Sequence, residues 1–101
     1  MIQDQLEKLY QLQRETSKQI EELKIQAVKI KAIEELTIVY SYLGELEKDI
    51  KIKEGTEQDL LAKYHSVTLN LIKEMKEGYK KYISVKEERI EGKTIVTIDA
   101  I

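Results

Sequence analysis

From Ile2 to Ile52, apolar residues recur at intervals of three and four, and the chain contains no proline to interrupt them. That spacing is the signature of an α-helix with one apolar stripe. The missing proline removes the residue that most sharply kinks or ends such a helix. The stripe runs through Ile2, Leu6, Leu9, Ile20, Leu23, Ala27 and Ile30, with Gln13 and Thr16 filling the gap. It resumes as Ile33, Leu36, Tyr40, Leu43, Leu46 and Ile50, after a step that moves its phase around the helix. The spacing predicts one long or gently bent helix over 2–53, roughly 75 Å long if unbroken. A joint between two helices near Ile30–Ile33 is the alternative, since a phase slip can mark either. Thr37–Leu43 is the most apolar and β-branched stretch of this region. It is the expected centre of the core and also a contact surface, and its composition leaves a strand open.

Composition bounds what the rest can be. At 101 residues the chain is one domain or part of one. Lysine and glutamate, fifteen of each, dominate it and favour helix. With no cysteine there is no disulfide framework, no thiol nucleophile and no cysteine-ligated zinc. No apolar run approaches the ~18 residues of a membrane span, and Met1–Leu12 is too polar for a signal peptide. The expectation is a soluble, cytoplasmic protein with no membrane contact.

Gly55 supplies the stop for the first helix. Thr56-Glu57-Gln58-Asp59 matches the start signal of a second, with Thr56 as its N-cap. That helix is expected over 56–80, with apolar positions Leu60, Leu61, Tyr64, Thr68, Leu71, Ile72, Met75 and Tyr79, ending at Gly78 or a few residues later. Beyond it the period falls to two, and Glu91-Gly92 lies between the two alternating runs. A β-hairpin over 82–101 turning at Glu91-Gly92 places Val85 opposite Ile98 and Ile83 opposite Ala100. One face then carries Ile83, Val85, Val96, Ile98 and Ala100. A register one residue off would set Val85 against Asp99 and spoil that face. The fold class is therefore mainly α: a long helix, a turn, a shorter antiparallel helix and a small C-terminal β-hairpin.

Such a molecule has an unequal helical hairpin. The second helix covers only about half of the first, so the stripe in 2–30 lacks a partner within the chain. Two helices and one hairpin also make a small core. Self-association, most simply a homodimer, answers both needs by pairing the N-terminal halves or closing a four-helix bundle. Leu6, Leu9, Ile20, Leu23, Ile30 and Tyr40 are the expected oligomer or partner interface. Tyrosine suits such a surface, because its ring packs while its hydroxyl stays hydrated. The alternative is a fold-back near Ile30–Ile33 into a three-helix monomer.

Few residues suggest chemistry. His65 is the single histidine, and position 62, where a Glu-x-x-His pair needs its acid, is alanine. Adjacent glutamates such as Glu21-Glu22 point about 100° apart on a helix and do not converge. They read as solvated faces with i,i+4 partners, for example Glu77 to Lys81. There is no glycine-rich phosphate loop and no nucleophile elbow. Neither catalysis nor a cofactor or metal is expected.

Charge is uneven. Residues 51–82 carry seven lysines against five acids, whereas the first fifty carry seven bases against ten acids. Lys73, Lys76, Lys80 and Lys81 cluster at the end of the second helix, and Lys93 follows the hairpin turn. The segment Thr56–His65, then Val67–Met75, then a hairpin tipped by Glu91-Gly92-Lys93, resembles the helix–turn–helix and wing of winged-helix transcription regulators. The resemblance implies DNA binding, with Val67–Met75 as the recognition helix and the five lysines above at the nucleic acid. The chain departs from that pattern at the inter-helix turn, where it has His65-Ser66 in place of a glycine. Prefoldin-type chaperone subunits also join long helices with hairpins, but there the hairpins lie between the helices.

The favoured expectation is a non-enzymatic, oligomeric helical protein that binds or blocks a protein partner by docking a helix face, in the manner of an accessory factor of a virus or mobile element. DNA binding through residues 56–101 is the alternative.

Overall fold

A computed structural model describes residues 2–101 of the chain. Two helices are followed by two strands: α1 (Ile2–Ile52), α2 (Thr56–Tyr79), β1 (Ile83–Ile90) and β2 (Lys93–Ala100). The architecture is the one the apolar periodicities predict, a helical hairpin with a small β-hairpin on it. α1 is a single helix of 51 residues, without a joint at Ile30–Ile33. Thr37–Leu43 is helical within it. The expectation of a possible strand there is overturned, because Leu36, Tyr40 and Leu43 keep the helical period and face the head while Ile38 and Tyr42 stay exposed. Nor is the stretch the centre of the core, which lies one turn earlier at Ala32 and Leu36, where the hairpin's Ile83 packs.

The turn between the helices differs in detail from the sequence reading. Thr56 is the first helical residue of α2 and not its N-cap; the cap position is Gly55, with no side-chain cap bond. Gly55 has φ 69° and ψ −134°. Only glycine enters that region without steric cost, and its use here swings the chain from α1 directly into α2. The Gly55 carbonyl accepts the Asp59 amide at 3.1 Å, the first bond of α2. On the other side, Gln58 Nε2 donates to the Ile50 carbonyl at 3.0 Å, satisfying an acceptor that the end of α1 leaves free.

α2 runs back along the C-terminal half of α1. Its buried residues are Thr68 and Ile72, flanked by half-buried Leu61, His65, Met75 and Tyr79. The Thr68 hydroxyl donates to the Tyr64 carbonyl at 2.7 Å, so this buried polar group is satisfied. Leu60, Tyr64 and Leu71, expected among the core positions, are instead exposed. They sit about 100° around the helix from the line through Leu61, Thr68 and Ile72, and α1 covers only that line. α2 is continuous through His65-Ser66 and Gly78. The helix–turn–helix of the winged-helix resemblance is therefore not formed: the apolar period runs through His65-Ser66 unbroken, so one helix buries its face where two would have to turn.

The β-hairpin has the expected register, with Ile83 opposite Ala100 and Val85 opposite Ile98. Both turn residues have positive φ, 52° at Glu91 and 78° at Gly92, the turn whose twist matches that of the strands. The hairpin base rests on both helices. Ala32, Leu36 and Ile83 form the buried centre, surrounded by Ile33, Tyr40, Met75, Tyr79, Tyr82, Val85 and Ile98. Leu43 and Leu46 continue the buried line along α1 toward the inter-helix turn.

The molecule is long and thin, 81 × 28 × 16 Å, with a radius of gyration of 22.0 Å. A compact chain of this length has ~13 Å. The difference is the N-terminal half of α1, where every residue from Ile2 to Ala27 is exposed. No three-helix fold-back occurs.

Candidate binding surfaces

Two surfaces stand out, one on the shaft of α1 and one in the head formed by the C-terminal half of α1, α2 and the hairpin. The shaft surface consists of Leu6, Leu9, Ile20, Leu23 and Ile30 together with Ile2, all exposed. The face has a definite direction. Ile30 and Leu43 are separated by roughly 140° around the helix, counting 100° per residue. The shaft's apolar row therefore points away from the side of α1 that α2 and the hairpin occupy. The phase step noted between Ile30 and Leu36 is the point where α1 exchanges one apolar side for the other.

Tyr40, grouped with that row in the sequence reading, belongs to the head. It lies half-buried against the hairpin, and its hydroxyl donates to the Glu87 carboxylate. Its position in the first helix did not reveal this, because the hairpin that covers it is more than forty residues away in sequence. Glu87 also accepts Lys76 Nζ at 3.1 Å. One carboxylate thus ties the hairpin to both helices. Burial, then the hydrogen bond and charge of Glu87, push the Tyr40 hydroxyl far above its ordinary value of 10.0. The Tyr40 hydrogen bond holds Glu87 below its ordinary 4.5, with Lys76 helping and partial burial opposing. Tyr79 donates to Glu35 at 2.8 Å across the two helices. Its hydroxyl is likewise raised, first by that bond.

The hairpin face that packs on the helices is apolar at its base and polar toward its turn, where Glu87, Arg89 and Thr94 replace Ile83 and Val85. The layers separate there, leaving an open cleft of about 1280 Å³. Tyr40, Leu43, Leu69, Ile72 and Val96 line it together with charged groups. Those charges are Lys48, Lys51, Lys73, Lys76, Arg89 and Lys93 against Glu47 and Glu87. Six bases against two acids make the cleft basic in a chain of net charge −2. Lys76 is held by Glu87, and His65 Nε2 lies 3.2 Å from Glu47. Among the described residues, Lys51, Lys73, Arg89 and Lys93 make no ion pair.

Of the five lysines singled out for nucleic acid, the cleft brings together Lys73, Lys76 and Lys93. Lys80 and Lys81 lie outside it, and Lys80 pairs with Glu77 at 2.7 Å. That pair replaces the expected Glu77–Lys81 bridge, because α2 ends at Tyr79 and Lys81 falls in the turn beyond it. Arg89 was missed by the sequence reading. Its signal is the hairpin register, which places it on the same face as Val85 and Glu87. Among the described residues, no cluster of histidine, cysteine or acidic side chains is arranged to hold a metal. No described helix is long and apolar enough to cross a membrane.

Comparison with known proteins gives no family: no protein-family model, curated protein or solved structure matches the chain.

Proposed function

We propose that the chain is a non-enzymatic interaction protein that self-associates through the shaft of α1 and presents its head to a protein partner. One observation carries this reading: the apolar row of 2–30 is fully exposed and faces away from the rest of the chain. A helix in a protein draws most of its stability from packing an apolar face rather than from the propensity of its residues. A shaft from Ile2 to Ala27 with no tertiary contact thus needs a partner to stay helical. Large exposed apolar rows of this kind mark association surfaces. The mode of action is surface alone, binding or blocking a protein in the cytoplasm by docking a helix face.

Light scattering on the purified chain tests this. The expected result is a mass of two chains, converted to one chain by Leu9→Glu together with Leu23→Glu. The double variant should also lose helical circular dichroism, as the unpaired shaft frays. A one-chain mass for the unaltered protein at high concentration rejects the reading.

The basic cleft favours a second reading, binding of a nucleic-acid backbone without a helix–turn–helix. Retention on a mixed duplex that falls linearly with log salt, and weakens with Lys73→Ala and Lys93→Ala together, supports it. Absence of retention at low salt removes it.

A further inference from the structure

Within 2–30 the apolar row has a stricter period than an amphipathic helix requires. Ile2, Leu6, Leu9, Gln13, Thr16, Ile20, Leu23, Ala27 and Ile30 are separated by alternating steps of four and three without exception. This is the 3.5-residue repeat of a coiled coil, in which the a positions are Leu6, Gln13, Ile20 and Ala27, and the d positions are Ile2, Leu9, Thr16, Leu23 and Ile30. The repeat stops where it must, since the next seam position is Glu34 and the two after it are Thr37 and Ser41.

The charges follow the same frame. Every acid between residues 2 and 30 lies at a b, c or f position: Asp4, Glu7, Glu15, Glu21 and Glu22. The e and g positions that flank the seam hold Gln3, Gln5, Tyr10, Leu12, Ser17, Gln19, Lys24 and Gln26, with one charge among them. A second copy of the same helix therefore meets no like-charge pair across the seam. The head does not obstruct it either, because α2 and the hairpin occupy the other side of α1.

Resting on the self-association proposed above, we infer that the partner is a second copy in a parallel, in-register, two-stranded coiled coil over 2–30. The direction follows from Gln13, the one polar a position. In register and parallel, Gln13 meets Gln13 of the other copy and their amides can bond across the axis. Polar pairing at a single a position is the known device for fixing register and strand number. An antiparallel pair over the full seam would bury Gln13 against Ile20. Shifting that pair by one layer sets Gln13 against Thr16 but leaves Ile30 bare, and Thr16, whose hydroxyl proton goes to the Leu12 carbonyl at 2.8 Å, can then only accept from Gln13. Parallel pairing fills all nine layers and sets both heads at one end, giving a bivalent clamp with two basic clefts.

The chain has no cysteine, so a single introduced thiol reports the geometry. Leu23→Cys, a d position, should oxidise in air to a covalent dimer on a non-reducing gel, and Leu9→Cys should do the same by itself. In either antiparallel register each of these thiols lies about 16 Å or more from its own copy, given 1.5 Å per residue. Light scattering under reducing conditions shows whether each variant still dimerises. A two-chain mass without crosslinking at either position overturns the parallel arrangement and leaves self-association standing. A one-chain mass for the unaltered protein overturns both. A three- or four-chain mass overturns the two-stranded assignment. Gln13→Leu should raise the melting midpoint while broadening the mass distribution beyond two chains, and an unchanged single dimer would overturn the role given to Gln13.

Discussion

At the scale of single residues, a few positions fix the geometry of the head. Gly55 is the clearest, since its φ of 69° with ψ of −134° is open to glycine and strained for any other residue. A Cβ there would meet nothing within 4 Å, so the cost of Gly55→Ala is backbone strain alone. We expect a loss of about 1–3 kcal/mol, read as a lower urea midpoint with unchanged slope. Tyr40 and Glu87 make a prediction at both ends of the pH scale. Glu87 has a folded value depressed below 4.5, so its contribution is complete above that value and is lost as pH falls through the lower folded one. Tyr40 is raised above 10.0, so its contribution is complete below that value and is lost as pH rises past it. Tyr40→Phe removes the larger influence holding Glu87 down, and acid unfolding should begin at a higher pH. The same variant has no hydroxyl to ionise at position 40, and its alkaline loss should be smaller. Thermal melts between acid and alkaline pH check both shifts, and a uniform offset at all pH values would contradict them.

At the scale of elements, each helix and strand is legible in the sequence, and the errors fall at the joints. The period of 3.6 predicts both helices and the period of two predicts both strands, because one-sided burial demands those repeats. The Val85–Ile98 register follows from the same demand. The N-cap is misread because Thr56-Glu57-Gln58-Asp59 has the composition of a capping box, while the adjacent glycine allows a tighter turn that takes the cap position itself. The exposed side of α2 is misread because Leu60, Tyr64 and Leu71 are as apolar as the buried line, and only the position of α1 selects between them. Where the elements meet, Leu36 is fully buried beside Ala32 and Ile83. Leu36→Ala should cost about 2–5 kcal/mol, and the loss should include the hairpin. Amide exchange in β1 and β2 should accelerate in that variant, whereas exchange limited to α1 would show that the hairpin is held independently.

At the scale of the whole molecule, the decisive fact is the mismatch in helix length. α1 has 51 residues and α2 has 24, so a shaft extends beyond the head. If two shafts share one coiled coil, folding of the shaft and association are a single equilibrium. The melting temperature should then rise with protein concentration, and Leu9→Glu with Leu23→Glu should abolish that dependence. A midpoint independent of concentration over a hundredfold range would place the whole stability within one chain. The surface ion pairs scattered along the helices, such as Lys31–Glu35 at 3.8 Å, lie in solvent and add little to either process.

The sequence by itself determined the second helix, the hairpin register and the apolar row in 2–30, while leaving open whether the first helix breaks near Ile30–Ile33 and folds back over that row. Each of these depends on local periodicity, which the order of residues expresses directly. Only the tertiary structure decided that the row faces away from the head, that Tyr40 is held by Glu87, and that Lys73, Lys76, Arg89 and Lys93 share one cleft. These are relations between residues far apart in the chain, and they depend on how one glycine at position 55 aims α2 and on which side of α1 the hairpin then finds room to pack.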